Sequence, residues 1–282
     1  MTDHATGKTI DDVRRFWSTS PLFVGEGSGP PGSREWFEQH ESVYMRDCLA
    51  GEPSAIFTAG LARDARILDV GCGPGFWVRF FARRGFTRVT GCDLTEAAVD
   101  LTRVSLELFG LAATVEVGDA EALPYADQTF DHVNCQGVVH HTPAPRRAVE
   151  EFARVLRPGG TICLSVYRRA WLLRHPRALR IVARLAAAVI GLEGRGRDAM
   201  LASGDAEEIV RMYDGRENPI GRAYTEGELQ TLVGGAFDVE CVERMYFPGR
   251  ALPVRPPAAL HPWLGKRFGM MVVVRARKRH ES

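Results

Sequence analysis

An acid, Asp69, precedes three glycines at alternate positions, Gly71, Gly73 and Gly75, in the segment RILDVGCGPGFW, and a second acid, Asp93, stands 22 residues after Gly71. Glycine at this density removes the side chains that keep a ligand off a backbone, and the turn opens a helix whose first N–H groups lack intrahelical partners. An acid about 20 residues further on, closing a second strand, is placed to accept hydrogen bonds from a ribose diol. The pattern is therefore that of a nucleotide-like ligand, and its details narrow the choice. A dinucleotide fingerprint, G-x-G-x-x-G/A, needs a small last residue, and this chain, counted from Gly71, has Phe76 there. No G-K-[ST] follows, which excludes a phosphate-cradling loop. The negative charge of Asp69 suits an amine-bearing ligand better than a pyrophosphate.

The elements that must position these residues alternate from Arg66 onward. Strands are expected at 66–70, 88–92, 114–118, 130–135 and 161–166, with helices at about 75–84, 95–109 and 145–156. Mostly apolar strands joined by helices argue for a parallel sheet covered on both faces. After residue 166 the alternation stops; it resumes with a helix at 225–234 and strands near 237–243 and 269–277. The intervening stretch holds ALRIVARLAAAVIGL (178–192), a Gly/Arg-rich turn and a second helix near 205–213. Before the sheet, DDVRRFWSTSP reads as a short amphipathic helix ended by proline, GEGSGPPGS as a loop, and Ser33 as the cap of a helix through REWFEQHESVYMRDCLA. The expected division is an N-terminal helical region (1–62), a sheet domain (63–167 with 223–282) and a helical insertion or cap (168–222). The insertion and a Pro-rich connection at 247–263 both follow strands, and ligands of open α/β sheets bind beyond the carboxyl ends of strands, so either is expected to build a substrate pocket.

Composition excludes other classes. The 282 residues carry a formal net charge of +1, which leaves no overall electrostatic footprint for nucleic acid. The basic cluster RARKRH (275–280) is expected to be a solvated tail, and the arginines of 168–184 the wet side of a lid helix. MTDHATGKTIDD has no apolar core of a secretory signal. The stretch 178–192 contains Arg180 and Arg184 and is too short for a bilayer about 30 Å thick, so no membrane contact is expected. The six cysteines form no C-x-x-C pair and read as buried hydrophobes of a reducing, cytoplasmic compartment. No metal site is expected.

LDVGCGPG resembles motif I of class I S-adenosylmethionine-dependent methyltransferases, and the resemblance runs from about Arg66 to Val166 through GCDLT (91–95), GDAEALPYADQTFDHV (118–133), CQGVVHH (135–141) and RVLRPGG (154–160). The outer thirds resemble bacterial secondary-metabolite methyltransferases more loosely. The resemblance implies a Rossmann-like, seven-stranded, mostly parallel sheet with helices on both faces. It also implies S-adenosylmethionine as cofactor and S-adenosylhomocysteine as product. Gly71, Gly73 and Gly75 would pass under the methionine moiety with Asp69 near its ammonium. Asp93 would accept from the ribose hydroxyls, Leu94 would pack on the adenine, Asp119 with the Ala120 backbone would read its edge, and Gln136 would approach the methionine end. Simpler readings of Asp69 and Asp119, as residues that cap or start turns, stay open.

Methyl transfer from a sulfonium is an in-line displacement whose main demand is alignment. A base is needed only when the acceptor is a hydroxyl, a protonated amine or an acidic carbon. His141 and His140, just past the fourth strand, are the candidates, and a purely structural role before Thr142-Pro143 is the competing reading. Trp17, His40 and Tyr44 (with Phe16) from the N-terminal helices either meet substrate or pack as core; Arg222 and Tyr224, at the return from the insertion, are further pocket candidates. The segment after the fourth strand reads NCQGVV and lacks the N-P-P-Y type motif of nucleobase methyltransferases. A small organic acceptor, such as a natural-product intermediate, is therefore expected, with RNA- or protein-directed methylation and a non-catalytic binding module as alternatives. A homo-oligomer is compatible with all three.

Overall fold

The computed structural model describes residues 7–21, 29–51, 53–170, 206–247 and 256–280. The apolar stretch 178–192 and the Gly/Arg-rich turn lie outside them. Eight strands form one sheet: β1 (Arg66–Val70), β2 (Arg88–Asp93), β3 (Thr114–Val117), β4 (Phe130–Gln136), β5 (Leu156–Arg168), β6 (Ala223–Tyr224), β7 (Phe237–Met245) and β8 (Met271–Lys278). The order is β3-β2-β1-β4-β5-β8-β7, with the two-residue β6 paired to β5 off this path. The expected seven strands are this path, and β6 is an eighth too short to leave a periodic signal. Pairs among β1 to β5 are parallel, and β8 runs antiparallel between β5 and β7.

Burial explains why the strands are nearly continuous apolar runs. Ile67 faces one core with Val78, Phe80 and Phe81 of α3 (Phe76–Arg83) and Val99 and Leu106 of α4 (Glu96–Phe109). The next residue, Leu68, faces the other core with Val149 and Phe152 of α5 (Pro145–Val155) and Leu229 and Val233 of a helix at Glu226–Val233. Successive side chains of a strand point to opposite faces, so a strand with helices on both sides is apolar at every position. Helix ends follow local chemistry. The Thr95 hydroxyl accepts from Ala98 N, Gly110 ends α4 in the left-handed region at φ 61°, and Pro145 starts α5. Before the sheet, Thr9 and Asp12 form a capping box on α1 (Ile10–Thr19), and Ser33 caps α2 (Arg34–Val43), which continues as a π-turn over Tyr44–Cys48. α6 (Ala206–Tyr213) ends the insertion, α7 is the Glu226–Val233 helix, and α8 (His261–Phe268) precedes β8.

The basic C-terminal run is a correction to the sequence reading. Arg275 to Lys278 belong to β8, and Arg275 is 4% exposed. Its guanidinium donates to Ile56 O (2.9 Å), Ala59 O (2.6 Å) and Glu240 (3.0 Å), and Lys278 Nζ donates to Leu156 O. Long cationic stems lie along apolar surface while their heads meet carbonyls and one acid, so a run that looks solvated becomes a clamp between the sheet and the segments beside it.

β2 and β4 flank β1 on opposite sides, and the chain leaves β1 toward β2 and returns from β3 to β4. The carboxyl ends of β1 and β4 therefore mark the topological switch point, where such sheets leave a crevice. Phe152 is fully buried at the centre of the α5 face. Phe152→Ala is expected to cost about 3–5 kcal/mol, read as a lowered denaturant midpoint with an unchanged slope.

Candidate cofactor and acceptor site

The glycine loop leaves β1 with Gly71, Gly73 and Gly75 at φ 72°, 51° and 82°. Each needs glycine for its own reason. A Cβ on Gly71 would lie 2.1 Å from the Val138 side chain, and one on Gly75 would lie 2.9 Å from Thr102 Cγ2, whereas nothing stands within 4 Å of a Cβ on Gly73. Gly75 thus supplies the close approach between α3 and α4, one residue before the Phe76 that argued against a dinucleotide, and it does not reach the cavity. Gly71 N and Cys72 N donate to Cys92 O, and Gly73 N donates to Asp93 Oδ2 (3.0 Å). The Thr95 N–H and hydroxyl both donate to Asp93 Oδ1. A carboxylate has about four lone-pair sites; three are engaged, and one on Oδ2 is left for a ligand. Burial raises the Asp93 carboxyl, and hydrogen bonds from Thr95 and Gly73 act against that.

A cavity of about 260 Å³ opens beyond this loop, and Gly71, Gly73, Asp93, Leu94, Asp119, Ala120 and Gln136 all line it. Asp119 also accepts from Glu121 N (2.8 Å), so its turn-starting role is present as well. Asp69 does not line the cavity. It is 1% exposed beneath the loop, where Oδ1 accepts from Asn134 Nδ2 (2.7 Å) and Oδ2 has no partner. Asn134 Oδ1 accepts in turn from Gln136 Nε2, which also donates to Cys163 O. The chain Asp69–Asn134–Gln136 therefore carries the buried acid to the cavity wall and leaves Gln136 Oε1 as its acceptor. Asn134 was not anticipated; its position two residues before Gln136 on the same strand face was the available signal. A second, larger cavity of about 490 Å³ lies at the opposite end of the sheet, walled by polar residues such as Arg66 and Asp131, and holds none of these groups.

Trp17, His40, Tyr44, His140 and His141 also line the first cavity. Tyr44 accepts from Trp77 Nε1 (3.2 Å), and its ring lies 4.3 Å from Phe76. Phe16 packs beside Trp17 but does not line the cavity. The two histidines differ. His140 is 1% exposed, burial holds its imidazole well below the usual range, and neither ring nitrogen has a hydrogen-bond partner. His141 Nδ1 lies 2.6 Å from Ile220 O, and Nε2 lies 3.3 Å from Asp214 Oδ2. The Tyr167 hydroxyl donates to the same carboxylate at 2.9 Å, and burial followed by that negative charge keeps the phenol protonated.

Two expected pocket residues lie beside the cavity rather than on its wall. Arg222 does not reach the cavity. Its guanidinium donates to Thr142 O and Pro143 O, and its backbone N donates to His140 O, so it staples the loop that carries both histidines. Tyr224, 3% exposed, is the second residue of β6 and packs in the core. Tyr167, Tyr213, Asp214 and Tyr246 line the cavity instead. Tyr167 was findable, since it lies near the carboxyl end of β5. Asp214 and the shared hydrogen bond between the Tyr213 and Tyr246 hydroxyls come from contacts between distant segments, which leave no local pattern.

The residues present fit S-adenosylmethionine. The space above Gly73 is one that a Cβ would enter, Asp93 keeps an acceptor site for a ribose hydroxyl, and Gln136 Oε1 is an acceptor for an ammonium. Burial pushes the Asp69 carboxyl up to about 7, with Asn134 opposing and Asp93 adding to the rise. A carboxyl raised above its unfolded value near 3.8 contributes stability that is complete below that value and lost as pH climbs through the folded one. The ligand-free protein is therefore expected to lose thermal stability between about pH 4 and about pH 7 through this group. Asp69→Asn should flatten that part of the melting profile, and an unchanged profile would count against the buried-acid account.

Residues 68–164 match the family described as a methyltransferase domain. The chain is 39% identical over 160 residues to a ubiquinone biosynthesis O-methyltransferase of Aromatoleum aromaticum, covering 56% of this chain and 59% of the relative. It is 35% identical over 127 residues to the protein of the same name from Alkalilimnicola ehrlichii, covering 45% and 47%. The matched stretch thus spans about half the length of these relatives. Among solved structures, the [4+2]-cyclase SpnF superposes with a TM-score of 0.60 over 97% of both chains at 18% identity. That likeness is one of fold alone, and it reaches described residues beyond the matched domain. Residues 68–164 of the chain are therefore similar to a methyltransferase domain, and the loop and acids within them fit S-adenosylmethionine.

Proposed function

We propose that the protein transfers a methyl group from S-adenosylmethionine to a small organic acceptor. One observation carries this reading: a single, mostly apolar cavity has the glycine loop and Asp93 at one end and His141, Tyr167 and Asp214 at the other. A pocket of this kind, with few convergent polar groups, suits a small ligand. In this reading Gly71 and Gly73 underlie the methionine moiety and Gln136 Oε1 faces its ammonium. Asp93 holds the ribose, Leu94 packs on the adenine, and Asp119 with Ala120 meets its edge. Gly75 and Asp69 act from beneath, the first by packing and the second through Asn134. When bound, the cofactor supplies an electrophilic methyl on a sulfonium, so a bond from the acceptor atom to carbon forms as the carbon–sulfur bond breaks and its pair stays on sulfur. The protein's part is to hold the acceptor on that axis and to exclude water.

The relatives' names favour oxygen as the acceptor atom, and a natural-product intermediate is the acceptor class proposed. The fold alone does not decide the chemistry, since a [4+2]-cyclase shares it. The three-part division at 62/63, 167/168 and 222/223 is proposed with it, the cap supplying Asp214 to the pocket. All six cysteines are free thiols, which supports a reducing, cytoplasmic setting. Among the described residues no helix is long and apolar enough to cross a membrane, and no cluster of metal-ligating side chains is found.

Two measurements test this. Calorimetric titration should show S-adenosylhomocysteine binding, weakened about a hundredfold in Asp93→Ala, because both a charge-assisted bond of about 1.5–3 kcal/mol and the anchor of the loop are lost. Wild-type affinity in that variant would remove Asp93 from the site. Mass spectrometry of metabolites from cells with and without the gene should show a small molecule heavier by one methylene. Labelled methyl found only in RNA or protein would point to a macromolecular acceptor instead.

A further inference from the structure

Asp214 belongs to none of the motifs of the sheet domain. It follows the last residue of α6, lies 8% exposed, and enters the cavity from the inserted segment. Its carboxylate accepts from the Tyr167 hydroxyl at 2.9 and 3.1 Å and faces His141 Nε2 at 3.3 Å. The state of that imidazole follows from its other nitrogen. Nδ1 lies 2.6 Å from Ile220 O, and a carbonyl only accepts, so Nδ1 carries the ring hydrogen. Asn218 Nδ2 lies 3.4 Å from Nδ1 and also donates to Arg211 O at 3.0 Å, so the Ile220 carbonyl is the shorter contact of Nδ1. In the neutral ring the lone pair is then on Nε2, the nitrogen that faces Asp214. The 3.3 Å contact places Nε2 and the carboxylate within reach of one another. Among the described residues, the groups facing the pair include His140 from the loop after β4, held neutral by burial, Tyr167 from β5, and Tyr213 from α6.

We propose that Asp214 and His141 form a proton-accepting pair split between the cap and the sheet domain, and that the acceptor is accordingly a hydroxyl on an aromatic ring. The acceptor's O–H bond breaks, its hydrogen passes as a proton to His141 Nε2, and the oxygen keeps the electron pair for attack. The imidazolium so formed meets the Asp214 carboxylate already in place, and the proton later leaves to solvent. His141 is the catalytic residue and Asp214 the positioning residue, because it acts by stabilising the protonated ring. The aromatic acceptor follows from the walls around the pair: the Trp17 ring lies edge-on 5.3 Å from His141, and the rings of His140, Tyr167, Tyr213 and Tyr246 complete that end. Neither nitrogen of His140 has a protein partner, which leaves a buried hydrogen-bonding position for a second polar group beside the reacting hydroxyl. The proposal rests on the methyl-transfer reading for the fate of the oxygen, whereas the proton step can be read without the cofactor.

The experiment uses 4-nitrophenol, whose ionised form has its own visible absorption, added to the full chain just below the probe's titration midpoint in water. Wild-type protein should bind it ionised. Asp214→Asn should reduce the ionised fraction about tenfold, the change that one pKa unit produces, while S-adenosylhomocysteine still binds. Tyr167→Phe, which removes a donor but keeps the charge, should retain the ionised band. Should the asparagine variant fail to bind S-adenosylhomocysteine, Asp214→Glu against Asp214→Gln repeats the comparison, and ionisation kept by the glutamate alone supports the pair. Wild-type ionisation in a folded Asp214→Asn protein, equal loss in Tyr167→Phe, or no ionisation by the wild type would each overturn it. Those outcomes leave S-adenosylhomocysteine binding and methylated product as separate readings of the methyl-transfer function.

Discussion

The carboxylate of Asp93 is the point on which the site depends. It closes β2, takes the N–H of Gly73 on one oxygen, and takes the N–H and hydroxyl of Thr95 on the other. Those donors come from two different strand–helix connections, so one side chain fixes the glycine loop against the start of α4. The loop tolerates this only because its backbone adopts φ angles that other residues resist, and because Gly75 lets α3 approach Thr102 and Ser105. The cost is the burial of a charged group, which raises its carboxyl, and the converging donors offset that cost.

Beneath this junction a second acid is buried with less support. Asp69 has a single donor from Asn134 and an oxygen without a partner. Its carboxyl is pushed toward neutrality for that reason, and its link to the cavity runs through Asn134 and Gln136. The two carboxylates of the motif therefore do different work. Asp93 organises backbone and keeps a site for the ligand, whereas Asp69 sets the polarity of a side-chain chain whose last member reaches the ligand. A sequence pattern that treats both as direct contacts merges these roles.

The acceptor end is assembled from parts that are remote in the chain. His140 and His141 sit on a short turn after β4, Arg222 staples that turn by its carbonyls, Tyr167 leaves β5, and Asp214 arrives from α6. α1 adds Trp17 against His141. Each piece is held by contacts that also carry stability, which is how sites gain rigidity without added elements. Burial holds His140 neutral, whereas His141 has a carboxylate 3.3 Å from Nε2, so two adjacent histidines have different surroundings.

The sequence by itself determined the strand–helix alternation up to β5, most strand limits within a few residues, the glycine loop, and the acid that closes β2. These are local: a periodicity of apolar residues, a cap, or a turn type is decided by near neighbours in the chain. It misread Arg275 as part of a solvated tail, and it did not show that Arg222 holds the Thr142 and Pro143 carbonyls, because a cationic side chain looks the same in sequence whether water or buried carbonyls receive its N–H groups. Tertiary structure alone decided that Gly75 serves helix packing, that Asp69 stands one layer behind the cavity, and that Asp214 meets His141. Those outcomes depend on distances between segments far apart in the chain, and no local preference encodes such distances.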